Sequence, residues 1–138
     1  MITYYSEEIK IPVFPKRKIS QWIKQVAGKF GKRVGDISYV FCSDSKIVEV
    51  NKEYLNHDYY TDIITFDYSE NDVISGDIFI SVDTVLTNAE KFGETFNNEL
   101  YRVVIHGVLH LCGIDDKACG ARAIMEGHEN DALKMLSI

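Results

Sequence analysis

Apolar positions along the chain alternate between the two-residue period of strands and the 3.6-residue period of helices, and the order of those switches outlines the fold. Ile2 to Tyr5 reads as a short strand, and both prolines, Pro12 and Pro15, lie in the connection after it. Ile19, Trp22, Ile23, Val26 and Phe30 then recur at helical spacing, which places one apolar stripe on a core, and the helix stops near Gly31. Ile37 to Cys42 is β-branched and aromatic, the composition of a buried strand, and Ser43-Asp44-Ser45 offers caps for a helix whose inner face carries Ile47, Val50, Tyr54 and Leu55. Ile63 to Tyr68 and Val73 to Ser81 are strand-like and joined by Ser69-Glu70-Asn71-Asp72, a linker short enough for an antiparallel hairpin. A stripe of Val82, Val85, Leu86, Ala89 and Phe92 follows, with Ser81 as candidate cap, Asp83 in the first turn and Gly93 at the end. The next helix starts at Asn97 or Asn98, carries Leu100, Val103, Val104 and Leu111 and stops at Gly113; a last one runs from about Ala118 to Leu136. The expected class is α+β: a single domain with a small mixed sheet of about four strands packed with about five helices.

Length and composition agree with that outline. At 138 residues, with 46% hydrophobic and 26% charged, the chain suits one soluble core rather than two, and it is too apolar to remain disordered. No apolar run approaches the ~20 residues of a membrane helix, and the first residues lack the basic and apolar regions of a secretory signal. Cytoplasmic localisation is the resulting expectation. Cys42, Cys112 and Cys119 form no CxxC pair, and an odd count in a reducing compartment favours buried or idle thiols.

The formal charge of −6 conceals an asymmetry. Residues 1–35 carry eight Lys/Arg and two acids, hence +6, whereas residues 36–138 carry seven bases and nineteen acids, hence −12. A basic N-terminal segment around Lys16, Arg17 and Lys18 is therefore either a solvated helix surface or a positive face for a polyanion.

The strongest chemical signal lies in Tyr101 to Lys117, YRVVIHGVLHLCGIDDK. His106 and His110 are four residues apart on one helical face, as chelation of a single cation requires. Gly113 permits a sharp reversal that brings a carboxylate back toward them. Asp116 is the expected third ligand and Asp115 its competitor. Three protein ligands leave a coordination position for water, the arrangement of a catalytic centre. The position after the first histidine is Gly107, not the general-base glutamate of HExxH peptidases, which speaks against peptide hydrolysis by that route and leaves room beside the cation for a substrate group.

These residues resemble the YbeY endoribonuclease family, whose signature is H-G-x-L-H-L-x-G-Y-D-H. His106-Gly107-Val108-Leu109-His110-Leu111-Cys112-Gly113-Ile114-Asp115-Asp116 matches it, and further pieces agree along most of the chain. Asn51, Tyr54 and Asp58 fit its N-x-x-Y-x-x-x-D stretch; Thr61-Asp62-Ile63-Ile64-Thr65-Phe66 its T-D-V-L-S-F strand; Gly76-Asp77-Ile78 its G-D-I; and Met125 with Glu129 its M-x-x-x-E. Three positions depart. Asp116 stands where the family has a third histidine, Leu55 where it has an arginine, and Tyr60 where it has a proline before Thr-Asp. An aspartate ligand adds negative charge and alters metal preference, and loss of the arginine removes a phosphate clamp. Lys52, His57 and the N-terminal lysines are the cations that could compensate.

The resemblance implies a metal-dependent endoribonuclease specific for single strands, one Zn2+ or other divalent cation per chain, and a role in maturing the 3′ end of small-subunit ribosomal RNA and in ribosome quality control. Ribosomal RNA, and the small subunit or its assembly proteins, would be its partners, with no membrane involved. Catalysis would fall to His106, His110 and Asp116, with the basic helix tracking the backbone and Tyr59 and Tyr60 stacking on bases or else filling the core. His57 reads as a solvated loop residue or a proton shuttle, His128 as structural, Asp62 as a support of the site and Asp77 as a partner for turn donors; Cys112 packs. Two other functions fit the same residues: a ribosome-assembly factor that binds RNA around a structural metal, and a metal hydrolase of another substrate class.

Overall fold

The computed structural model describes residues 1–55 and 61–136. Its elements follow the order β1 (Ile2–Ser6), α1 (Lys16–Lys29), β2 (Arg33–Cys42), α2 (Asp44–Leu55), β3 (Ile63–Asp67), β4 (Val73–Ser81), α3 (Val82–Phe92), α4 (Phe96–Leu111) and α5 (Ala121–Met135). The expected α+β class, with four strands and five helices, is what forms. The sheet order is β1-β2-β4-β3, with β1, β2 and β4 parallel and β3 antiparallel at the edge.

Period-2 alternation divides this sheet into two faces. Ile37, Tyr39 and Phe41 of β2 and Ile74, Ile78 and Ile80 of β4 point into the main core, where α1, α4 and α5 cover them. Cys42 and Ile64 turn to the opposite face and meet Ile47 and Val50 of α2. Two buried hydrogen bonds secure the helices: Tyr39 Oη donates to the Val104 carbonyl at 3.0 Å, and Trp22 Nε1 to the Ala132 carbonyl at 2.7 Å. No described helix is long and apolar enough to cross a membrane.

Boundaries move where local capping decides them. α4 starts one or two residues earlier than the Asn97/Asn98 reading because Thr95 is the cap, its hydroxyl accepting from the Asn98 N–H at 3.1 Å. α5 begins after Gly120, whose left-handed backbone (φ 78°) ends the preceding turn. Ser81 caps α3 as expected.

Gly107 requires a correction. It is buried, and a Cβ there would lie 3.0 Å from Ile78 Cδ1 and 3.1 Å from Ile63 Cδ1. The glycine therefore lets α4 settle onto the sheet, and the space beside it belongs to two isoleucines, not to a substrate.

Candidate metal centre

Helix α4 packs against β4 and the edge strand β3, and carries His106 and His110 one turn apart, His110 bordering a cleft beside β3. At its end Gly113 adopts φ 96°; its N–H donates to the His110 carbonyl and that of Ile114 to the Leu109 carbonyl, both at 3.0 Å, the paired bonds of a Schellman reversal. The following turn discriminates between the two aspartates. Asp115 is spent on the backbone: its Oδ1 accepts from the Lys117 N–H at 3.0 Å and its Oδ2 from the Ala118 N–H at 3.3 Å, which holds its exposed carboxyl below the usual range. Asp116 points the other way, back over α4.

There its Oδ2 lies 3.3 Å from His106 Nε2 and its Oδ1 3.4 Å from His110 Nε2. One ligand atom from each of the three residues falls within 4.8 Å of the others. Asp116 Oδ1 is buried and, among the described residues, accepts no hydrogen bond, a condition costly for a carboxylate without a cation beside it. Two imidazoles, an unsatisfied carboxylate oxygen and their mutual proximity make a donor set that can hold a metal ion.

A second layer orients the first. Glu129 of α5, 8% exposed, places Oε2 2.6 Å from His106 Nδ1 while its Oε1 accepts from Arg102 Nη1 at 2.9 Å. Arg102 and His106 are one helical turn apart on α4, so a single carboxylate ties both to α5. Asn130 accepts from Arg102 Nη2 at 2.7 Å. A proton on Nδ1 shared with Glu129 leaves Nε2, the atom facing Asp116, with its lone pair available. Burial pulls the His106 pKa down, but the Glu129 hydrogen bond and the charges of Glu129, Asp116 and Asp62 outweigh it, so the net shift is upward. For Glu129, burial pushes upward and the bonds from His106 and Arg102 prevail, leaving it below the ordinary carboxylate range.

The triad sits where two clefts meet. One, of about 490 Å³, is lined by His106, Arg102, Glu99 and Glu129 among others, and the second, of about 380 Å³, by His110, Asp116, Asn51 and Thr65. Asp62 and Arg122 line both. Burial raises the Asp62 pKa against the opposing charges of His106 and Arg122.

Other expectations resolve individually. Lys16, Arg17 and Lys18 line neither cleft, since α1 packs over the β1–β2 side of the sheet. Lys52 also lies outside both linings, whereas Leu55 borders the second. His57, Asp58, Tyr59 and Tyr60 fall outside the described residues. His128 stacks edge-on against Phe30 at 5.2 Å, a packing role. Asp77 accepts from the Tyr68 hydroxyl at 3.3 Å on the outer sheet face. Cys112 is half-buried against the core, and burial pushes its thiol up to about 11. Glu129 and Arg102 are the cleft residues whose contacts spacing alone did not reveal; for Glu129 the signal was an acid one turn after Met125, on the core-facing side of α5.

Fold and site together define a small α+β protein whose acidic cleft carries a His-His-Asp cluster able to hold a cation. The family described as Endoribonuclease YbeY matches residues 1–137, and the chain belongs to that family. An endoribonuclease YbeY of Parabacteroides distasonis is 62% identical over 135 residues, 98% of this chain and 95% of that protein. That of Phocaeicola vulgatus is 60% identical over 138 residues and the full length of both. The solution structure of TM1509 from Thermotoga maritima superposes with a TM-score of 0.66 at 26% identity, covering 98% of this chain and 91% of that one.

Proposed function

We propose that residues 1–138 act as one metal-dependent hydrolase domain, a single-strand-specific endoribonuclease that matures ribosomal RNA in the cytoplasm, with His106, His110 and Asp116 holding a Zn2+ ion. The observation that carries this reading is the buried Asp116 oxygen without a hydrogen-bond partner, set between two histidine nitrogens at the junction of two clefts. Family membership supplies the substrate class. The 3′ end of small-subunit RNA is the substrate that the sequence resemblance favours, and assembly proteins of that subunit are the partners.

A bound zinc ion would polarise a phosphoryl oxygen and lower the pKa of water at its open position. The chain's own residues do the rest. Glu129 holds the Nδ1 proton of His106, and Arg102 holds Glu129, so the ligand ring keeps one tautomer and one orientation. Asp62, raised by burial and bonded to no other side chain among the described residues, is the carboxylate placed to accept a proton at the junction. The two clefts share Asp62 and Arg122 and meet at the triad, which gives an unpaired strand a path past it.

The reading is tested by incubating the zinc-loaded protein with a short single-stranded RNA, its duplex, and a His110→Ala protein prepared in parallel. Cleavage of the single strand alone, abolished by chelator and by the substitution, is expected. A zinc-loaded wild type that binds RNA without cutting it, and that loses its fold when zinc is removed, would assign the protein to ribosome assembly with a structural metal instead.

A further inference from the structure

We propose that Arg122 grips the scissile phosphate, its guanidinium bridging the two clefts at the saddle where an RNA strand crosses the metal centre. The inference rests on the nuclease reading above and adds to it the residue that meets the substrate's charge.

The cleft poses an electrostatic problem for a polyanion. Five carboxylates line the larger lobe against two guanidiniums, and three line the smaller. One cation cannot offset this lining and also screen the phosphate on either side of the cut. Most basic residues nearby are unavailable. Arg102 is consumed by Glu129 and Asn130 through both terminal nitrogens. Lys117 borders only the smaller lobe, and the basic residues of α1 border neither. Arg122 is exposed, lines both lobes and forms no ion pair among the described residues.

Beyond its charge interaction with Asp62, the energetics of α5 itself do not explain its position. Arg122 occupies the first turn of α5, where the helix macrodipole disfavours a cation, and that turn contains no acidic residue to pair with it. A planar fork of N–H donors matches the two non-bridging oxygens of a phosphodiester, which a lysine ammonium contacts only as a point charge.

The test compares zinc-loaded wild type, Arg122→Ala, Arg122→Lys and, as a control cation on the remote α1 surface, Lys24→Ala, in steady-state cleavage of a short single-stranded RNA and in fluorescence-anisotropy binding. Arg122→Ala should lower kcat/KM by about 10- to 100-fold, the value of one charge-assisted bidentate contact. Arg122→Lys should recover only part of that loss, and Lys24→Ala should keep the wild-type kcat/KM. The slope of log affinity against log salt should shrink by about 0.7 for Arg122→Ala. Melting temperature and zinc content should stay at wild-type values in every variant. A kcat/KM within two-fold of wild type in Arg122→Ala overturns the proposal, and so does a fall in its melting temperature or zinc content, which would make the residue structural. If the wild type itself fails to cleave, the nuclease reading falls separately, and the anisotropy arm decides Arg122: weakened binding keeps its phosphate contact, unchanged binding removes it.

Discussion

Replacing Glu129 with Gln tests the layer behind the ligands without changing the size of the side chain. In the wild type each carboxylate oxygen receives one donor, His106 Nδ1 at 2.6 Å and Arg102 Nη1 at 2.9 Å. The amide has only one acceptor oxygen, so its NH2 must face either the imidazole or the guanidinium, donor against donor. The pair is mostly buried on the glutamate side and one-third exposed at the Arg102 side chain, so the cost lies below that of a fully buried ion pair, at about 2 to 3 kcal/mol. For a domain of this size that is a fall in Tm of roughly 6 to 12 °C. Zinc affinity should fall about 10- to 100-fold, the usual effect of removing a carboxylate behind a ligand histidine. The pH dependence has a definite sign in metal-free protein. Glu129 is lowered in the fold, so its stabilisation is present above its unfolded pKa and disappears as pH falls through the folded value. His106 is raised, so its stabilisation is complete below its unfolded pKa and disappears as pH rises through the folded value. The Tm gap between wild type and Glu129→Gln should therefore be widest at mildly acidic pH and narrow toward pH 9, where the Arg102 contact alone remains charged. Calorimetric melting at several pH values, with zinc titration beside it, measures both effects. A variant that melts within about 1 °C of wild type and binds zinc within two-fold would refute the orienting role.

Three further substitutions separate ligation, proton transfer and packing. Asp116→Asn should eliminate zinc binding in a titration while leaving metal-free Tm unchanged or higher at alkaline pH, where His106 is neutral and the substitution removes a buried charge whose Oδ1 accepts nothing. Asp62→Asn should lower kcat on RNA by about 100-fold with KM and zinc content little changed, as expected for loss of a proton acceptor; an unaltered kcat would exclude it. Gly107→Ala should lower Tm through contact with Ile63 and Ile78, offset in part by the better helix propensity of alanine, and should leave KM unaltered because the position faces the sheet.

Element types were readable because strand and helix periods seldom coincide: β4 is Val73–Ser81 as its alternation predicts, and Ile37, Tyr39, Phe41 and Cys42 of the Ile37–Cys42 strand are buried as its composition requires. The His106/His110 pair was equally plain, being a consequence of helical geometry alone. What spacing could not decide was direction. Asp115 and Asp116 are adjacent carboxylates, and only the Schellman reversal with its Asp115 backbone bonds sends one outward and the other over α4. Gly107 was read as open space beside the site, yet it belongs to the Val103, Val104 and Leu111 stripe that meets the sheet, which its helical position already indicated. The N-terminal basic cluster was a matter of counting charge without location. Sheet order places α1 over the β1–β2 side and the clefts beside β3, an arrangement set by long-range pairing that no local pattern encodes. Glu129 and Arg122 come from α5, and their meeting with α4 and β3 residues depends on the same tertiary placement.

The central claim is that His106, His110 and Asp116 hold one catalytic cation, and X-ray absorption at the zinc edge addresses it most directly. Protein reconstituted with one equivalent of zinc should show nitrogen and oxygen neighbours only, two of them imidazole at about 2.0–2.1 Å, with one imidazole lost in His110→Ala. A sulfur neighbour at about 2.3 Å, or a spectrum unchanged by that substitution, would place the metal elsewhere and contradict the account.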